Sequence, residues 1–456
     1  MVSATLLAAA AEEPTFDTGD TAWILASAAL VLLMTPGLAF FYGGMVRAKS
    51  ALNMIMMSFV TIGIVSVLWV FYGYSIAFGN GGNGFMGDFE FVGLGELVND
   101  PITLNGGEYL IPGLAFAMFQ LMFAIITPAL ISGAIADRAK FLGWGVFVAL
   151  WVTIVYFPVA HWVFDFGGAE ADDGAGWLAA KGVMDFAGGT AVHINAGAAG
   201  LALAIVLGRR KGWPGLPFKP HNLPLVLLGA GLLWFGWFGF NAGSALGANG
   251  TAALAFTNTQ VATAAAVLGW LLIEKIRDGH ATSLGAASGA VAGLVAITPA
   301  CAFLVPWAAV LLGILAGGIC ALAVGLKYRF GYDDSLDVVG VHLVGGLVGC
   351  LYLGFFATTR SGYSATDGLF YGGGWEPLWI QAQSAFSVLL YSLVVAAVLG
   401  FLIDRTIGFR ISEEDEVAGI DLLEHAESSY DLNPAGSGAF RPGTPVSTKT
   451  DEGVPA

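Results

Sequence analysis

The chain has 456 residues, 57% of them hydrophobic and only 11% charged, with a formal net charge of −15. Soluble domains average about 25% charged residues, so this composition, with its repeated long apolar runs, excludes an ordinary water-soluble fold. The alternating short segments of a membrane β-barrel do not dominate, and no basic cluster with interleaved aromatics points to a nucleic-acid partner.

The N-terminal "MVSATLLAAAAEEP" lacks a basic n-region and reads as an uncleaved extracellular leader over 1–21, with a cleaved signal peptide as the alternative. Hydropathy predicts an all-α polytopic membrane protein with eleven spans, near 22–43, 51–78, 111–136, 141–164, 187–208, 223–245, 254–275, 282–300, 302–326, 338–358 and 379–406. Spans 1–5 form a first half (22–208) and spans 6–10 a second half (209–358). A loop and span 11 (359–408) and a cytoplasmic tail (409–456) follow. The tail turns Gly-, Pro-, Ser- and Thr-rich after about 431, a composition that predicts disorder there. With the N-terminus outside, only Lys181 and Arg360 of the 18 Lys and Arg fall on the outer side. That asymmetry supports an odd number of spans and a cytoplasmic C-terminus.

Short strings recur in the same order in the two halves. Span 1 has "GLAFFYGG" and span 6 "GWFGFNAG"; spans 3 and 8 both have "ITPA"; span 5 has "VHINAGAAG" and span 10 "VHLVGGLVG". Five spans per half reverse the membrane orientation, so this is an inverted 5+5 repeat, with its functional site expected near mid-depth between the halves.

The repeat pairs His193 with His342. Glycines four and seven residues after each histidine (Gly197 and Gly200; Gly346 and Gly349) share its helix face. That smooth stripe invites close helix approach and turns the histidines toward protein rather than lipid. Ionisable groups at membrane depth are costly and mark pathways. Three chemistries remain open for such a pair: axial ligation of a haem, metal binding, or a neutral hydrogen-bonding lining for a pore. The other histidines (His161, His221, His280 and His425) lie at helix ends or in the tail, and Cys301, Cys320 and Cys350 read as buried small hydrophobes.

Aromatic residues mark a lane toward the pair. Phe119 and Phe123 share a face of span 3, and Trp237, Phe240 and Ser244 combine ring faces with a hydroxyl along span 6. Such a set suits a compact monovalent cation held by cation–π attraction and one hydrogen bond. Asp185, just before "FAGG" and the fifth span, is placed both as an N-cap and as a source of negative potential.

The strings "FFYGGMVRAKSALNM", "AFQLMF", "DFAGGTAVHINAG", "GWFGFNAGSA", "GLVAITPAC" and "DVVGVHLVGGLVGC" closely resemble the ammonium transporter family (Amt/Mep/Rh), and its Amt branch in particular. The resemblance runs from the first span to the tail. It implies that His193 and His342 are the twin histidines of a hydrophobic conduction path, closed at its outer end by stacked Phe123 and Phe240. It places Ser244 and Trp237 around an outer ammonium-binding site, with Phe119 nearby, and gives Asp185 a part in recruitment and deprotonation. At the end of span 4 the family has a tryptophan in the cation site, whereas this chain reads "AHWVF" and offers Phe164. Phenylalanine keeps a π face but loses the indole N–H; Trp162 and Trp177 stand nearby as substitutes, before an acidic loop around Glu170, Asp172 and Asp173.

The resemblance further implies a homotrimer in membrane lipid with one pore per chain, and a tail able to meet a PII regulatory protein. The expected function is ammonium recruitment, deprotonation and conduction of ammonia. The alternatives are an ammonium sensor signalling through the tail and, remotely, a bis-histidine haem electron carrier. No catalytic triad, phosphate loop or metal motif is present, so neither an enzyme nor a cofactor is expected.

Overall fold

At membrane depth every backbone N–H and C=O must be satisfied within its own segment, so the long uncharged runs become helices. The computed structural model describes residues 16–98, 100–104, 107–167 and 174–430. Most of the expected leader, the loop residues Glu170, Asp172 and Asp173, and the tail after 430 lie outside the described residues. Ten helices among those described are long and apolar enough to cross a membrane: α1 (Thr18–Met45), α2 (Ala48–Phe78), α3 (Gly113–Ile135), α4 (Phe141–Phe164), α5 (Gly189–Leu207), α6 (Leu223–Gly243), α7 (Gly250–Asp278), α9 (Pro306–Phe330), α10 (Val339–Phe356) and α11 (Glu376–Thr406). Between α7 and α9 lies α8 (Ser283–Ile297), apolar but 15 residues long. Its rise covers about 22 Å, short of the hydrocarbon thickness of about 30 Å. Turns rather than further helix lead from its end to Pro306.

The architecture is helical as expected; the one addition to it among the described residues is an antiparallel pair of short strands, Pro101–Leu104 (β1) and Gly107–Pro112 (β2), in the connection ahead of α3. Strands this short leave too little alternation to read in sequence. Helix α1 also begins inside the expected leader. The Asp17 side chain accepts from the Asp20 N–H at 2.8 Å, and the Asp17 N–H donates to the Leu110 carbonyl at 2.8 Å, tying the helix start to the hairpin.

Helix α1 lies along α6, α7 packs against both α8 and α9, and α11 runs along α5. The crossing of α5 and α10 positions the site. A Cβ on Gly197 would stand 2.4 Å from the Leu343 backbone nitrogen; one on Gly346 would stand 2.9 Å from the Ile194 side chain and 3.0 Å from the Gly189 carbonyl. Each glycine thus packs on the residue that follows the other helix's histidine.

After α11 the chain folds back across one face through α12 (Glu413–Ala418) and α13 (Ile420–His425). The Asp421 carboxylate accepts from the N–H groups of Leu52 and Asn53 at 3.0 and 2.8 Å, and His425 Nε2 lies 3.0 Å from Asn53 Oδ1. Glu416 accepts from the Lys211 N–H at 2.7 Å and from Arg410 at 2.9 Å. Beside them, buried Arg210 pairs with Asp333 at 2.8 Å and Asp137 at 3.2 Å. Burial opposes a charge on Asp333, but hydrogen bonds from Arg210 and the charges of Arg210 and Arg138 outweigh it and hold the carboxyl below its ordinary range.

Gly197→Ala should lower stability by about 1–3 kcal/mol, because backbone rather than a flexible side chain blocks the added methyl. Gly63→Ala, where nothing lies within 4 Å, is the control and should melt with the parent. Thermal unfolding in detergent decides it: equal melting of all three proteins would mean that α5 and α10 do not meet so closely.

Candidate functional site

The site grows from two helix starts. The first turns of α5 (Gly189–Ile194) and of α10 (Val339–Leu343) are both π-helical, and each carries its histidine. Initial amides have no partner within a helix, and in an apolar interior they need an acceptor. Asp185 supplies it for α5: Oδ1 accepts from Gly188 and Gly189 at 2.9 and 2.6 Å, and Oδ2 from Thr190 and Ala191 at 2.8 and 3.2 Å. Asp334 does the same for α10, accepting from Val338 at 3.1 Å and Val339 at 2.7 Å. Sequence reasoning identified Asp185 as a cap but missed Asp334. The signal was available, since both aspartates stand eight residues before their histidines.

His193 and His342 meet at the helix crossing. Their Nδ1 atoms are 3.4 Å apart, and their rings lie 5.4 Å apart between centroids at 21°. A hydrogen bond between the two Nδ1 atoms makes one a donor and the other an acceptor, which sets opposite tautomers on the two rings. His193 Nε2 is buried without a protein partner. With the nitrogens in contact there is no room for a macrocycle between them, which rules out the haem arrangement.

An aromatic stack continues from the pair. His193 lies face to face with Trp237 (5.4 Å, 22°) and 6.1 Å from Phe240. Phe240 and Phe123 are 4.2 Å apart between centroids, and Phe119 meets Phe123 edge-on at 4.9 Å and 71°. Beyond the two phenylalanines, on the face opposite the folded-back tail, opens a vestibule of about 390 Å³, whose lining includes Phe123, Phe164, Asp185 and Ser244. The Ser244 hydroxyl donates to the Phe240 carbonyl at 2.9 Å, leaving its oxygen as an acceptor.

Two residues expected at or near the vestibule site are not among those lining this cavity. Trp237 does not line the cavity: its indole N–H donates to Thr298 Oγ1 at 2.8 Å and its ring covers His193. Seven residues of helix, a rise of about 10 Å, separate it from Ser244, so the shared helix face puts it at a different depth. Phe119 is likewise absent from the lining and packs behind Phe123 against Gly243. Thr298 belongs to the second "ITPA"; its role as the tryptophan's partner could not be read without the packing of α6 on α8. Neither proposed substitute at the Phe164 corner reaches the cavity. Trp162 donates its indole N–H to the Phe85 carbonyl at 2.8 Å, and Trp177 packs against it at 5.8 Å. Phe164 does line the cavity, as does Phe166.

Residues 22–430 match the family model described as Ammonium Transporter Family. The chain is 57% identical over 444 residues to an ammonium transporter of Mycobacterium tuberculosis (strain ATCC 25618 / H37Rv), covering 93% of each. In structure it is similar to Saccharomyces cerevisiae Mep2, with a TM-score of 0.79 and 36% identity over 88% of this chain and 89% of that one. It is also similar to a protein described as Sensor Amt Protein, with a TM-score of 0.80 and 28% identity over 89% of this chain and 98% of that one.

The four amides on Asp185 make its truncation costly. Asp185→Ala should destabilise the protein by roughly 3 kcal/mol or more, since buried donors then lose a charged acceptor, with Asp185→Asn intermediate. Melting temperatures of the two variants in detergent check this, and an alanine variant that melts with the parent would remove the capping role.

Proposed function

Because the chain belongs to the ammonium transporter family, we propose that it takes up ammonium in the vestibule, removes the proton there, and conducts ammonia past Phe123 and Phe240 and along His193 and His342. The observation that carries this reading is the continuous stack from the vestibule through the 4.2 Å phenylalanine contact to the imidazole pair. Charge is expensive in such a lane, whereas a small neutral amine is not. The opposed tautomers offer ammonia both a donor and an acceptor, and they provide a separate path for the proton. Ser244 and the faces of Phe123 and Phe164 hold the cation. Asp185 acts through its field rather than by contact, and Trp237 supports His193 rather than the vestibule.

The wider arrangement we propose is an inverted pair of halves with the N-terminus outside and the tail in the cytoplasm, assembled as a homotrimer in lipid with one path per chain. Paired features support the inversion: two π turns, two aspartate caps and two reciprocal glycines at the crossing. Residues 409–430, folded on the tail face, are the surface on which a PII protein would act.

In proteoliposomes the parent should move ammonium and not K⁺. His193→Ala and His342→Ala should each cut flux or selectivity by roughly tenfold, the scale of one lost hydrogen bond to a buried partner. Equal K⁺ and ammonium flux in the parent, or unchanged behaviour of both variants, would overturn the mechanism.

The likeness to the Sensor Amt Protein favours one second reading, in which the chain reports ammonium through its tail. Removing everything after residue 408 separates the two. A conduit retains measurable ammonium flux without the tail, whereas a sensor loses its signalling output and shows no flux with or without it.

A further inference from the structure

The vestibule is much larger than ammonium requires. Its volume of about 390 Å³ falls within the range of small-molecule pockets, about 300–1,000 Å³. Part of its wall is an aromatic corner that plays no part in the conduction lane. Phe186 meets Phe303 at 6.2 Å and 90° and Tyr363 at 5.1 Å and 90°, while Phe303 and Tyr363 lie 5.3 Å apart at 58°. These rings come from three distant segments, and all three line the same cavity as Phe123 and Phe164.

We propose that this cavity also binds bulky quaternary ammonium cations, seated against the Phe186–Phe303–Tyr363 corner, and holds them without passing them. The inference rests on the reading of the vestibule as the cation's point of entry. A tetraalkylated nitrogen has no N–H to satisfy and is recognised by π faces and diffuse negative potential. The cavity offers that combination. Rings dominate the corner, and both Asp185 oxygens are engaged by amides, so the carboxylate contributes its charge at a distance more than an open acceptor.

Such a guest stops at the vestibule for two reasons. It has no N–H proton to release, so it cannot continue as a neutral amine. The Phe123 and Phe240 rings, 4.2 Å apart between centroids, must part much further for a tetraalkylated nitrogen than for ammonia. The expected result is reversible, competitive block of ammonium flux.

Tetramethylammonium is the probe. Titration calorimetry on the detergent-solubilised full chain should show binding, and in proteoliposomes raised ammonium should relieve the inhibition. Radiolabelled tetramethylammonium should not accumulate inside. Tyr363→Ala and, as a milder second variant, Phe303→Leu should each weaken binding by roughly fivefold or more while ammonium flux stays within about twofold of the parent. Tyr363 is 45% exposed, so its truncation leaves the helical core intact. Absence of binding, accumulation of the probe, or binding unchanged in both variants overturns the proposal. A chain that binds tetramethylammonium in this variant-sensitive way but moves no ammonium keeps the site and loses the conduction reading; a chain that moves ammonium without binding the probe does the reverse.

Discussion

Everything at the centre of this protein depends on how closely α5 and α10 can cross. Two imidazoles on different helices reach 3.4 Å only when the backbones beneath them touch, and backbones touch only where Cβ is missing. Gly197 and Gly346 provide that absence reciprocally, each lying on the residue after the opposite histidine. Push the helices apart and both nitrogens lose their partner in an apolar interior, where an unpaired polar group costs about 1–3 kcal/mol by protein mutational measures. The glycine stripe and the histidine pair are one feature, since neither accounts for the other's position alone.

The aspartate caps extend the same constraint to the helix ends. A π turn that starts in a buried setting presents several amides at once, and a carboxylate is the compact group able to accept them all. Asp185 does this while lying in the vestibule lining, so the residue that fixes the start of α5 also stands in the wall of the cavity. A carboxylate held by four N–H groups gives up that anchoring if it takes a proton. On the proposed mechanism its influence on an arriving cation is therefore through space, and its structural and electrostatic roles are not alternatives.

Much of this was legible in the sequence, and the losses have physical causes. Ten of the predicted spans have helices long enough to cross a membrane and the eighth has the shorter α8; the histidines and their glycines were readable because motif and helical period agree, and the Phe123–Phe240 contact through the family resemblance. Depth was not readable. Trp237 and Ser244 share a face of α6, and periodicity reports faces; only the neighbouring helix, through Thr298, decides which turn meets the cavity. Asp334 is hidden because "DFAGGTAVH" and "DSLDVVGVH" share only the aspartate ahead of the valine and histidine. The hairpin at Pro101–Pro112 was too short to show a period. The Phe186, Phe303 and Tyr363 corner joins three loops remote in sequence, and no local pattern announces such a meeting.

On the proposed mechanism, the change from wide vestibule to tight lane determines where discrimination arises. Ring faces in the vestibule return about 0.5–2 kcal/mol to any small cation that sheds water beside them. Carrying the charge onward between Phe123 and Phe240 costs several kcal/mol more, because burial of an ion is not repaid by apolar walls. K⁺ has no way to leave its charge behind and turns back. Ammonium becomes neutral by giving up one proton, so the barrier that stops K⁺ largely disappears for it. Selectivity then resides in the guest's ability to deprotonate, and the vestibule has only to concentrate cations. A phenylalanine at position 164 in place of the family tryptophan fits this division of labour: a weaker ring changes how often a cation waits at the entrance, but not which one goes through.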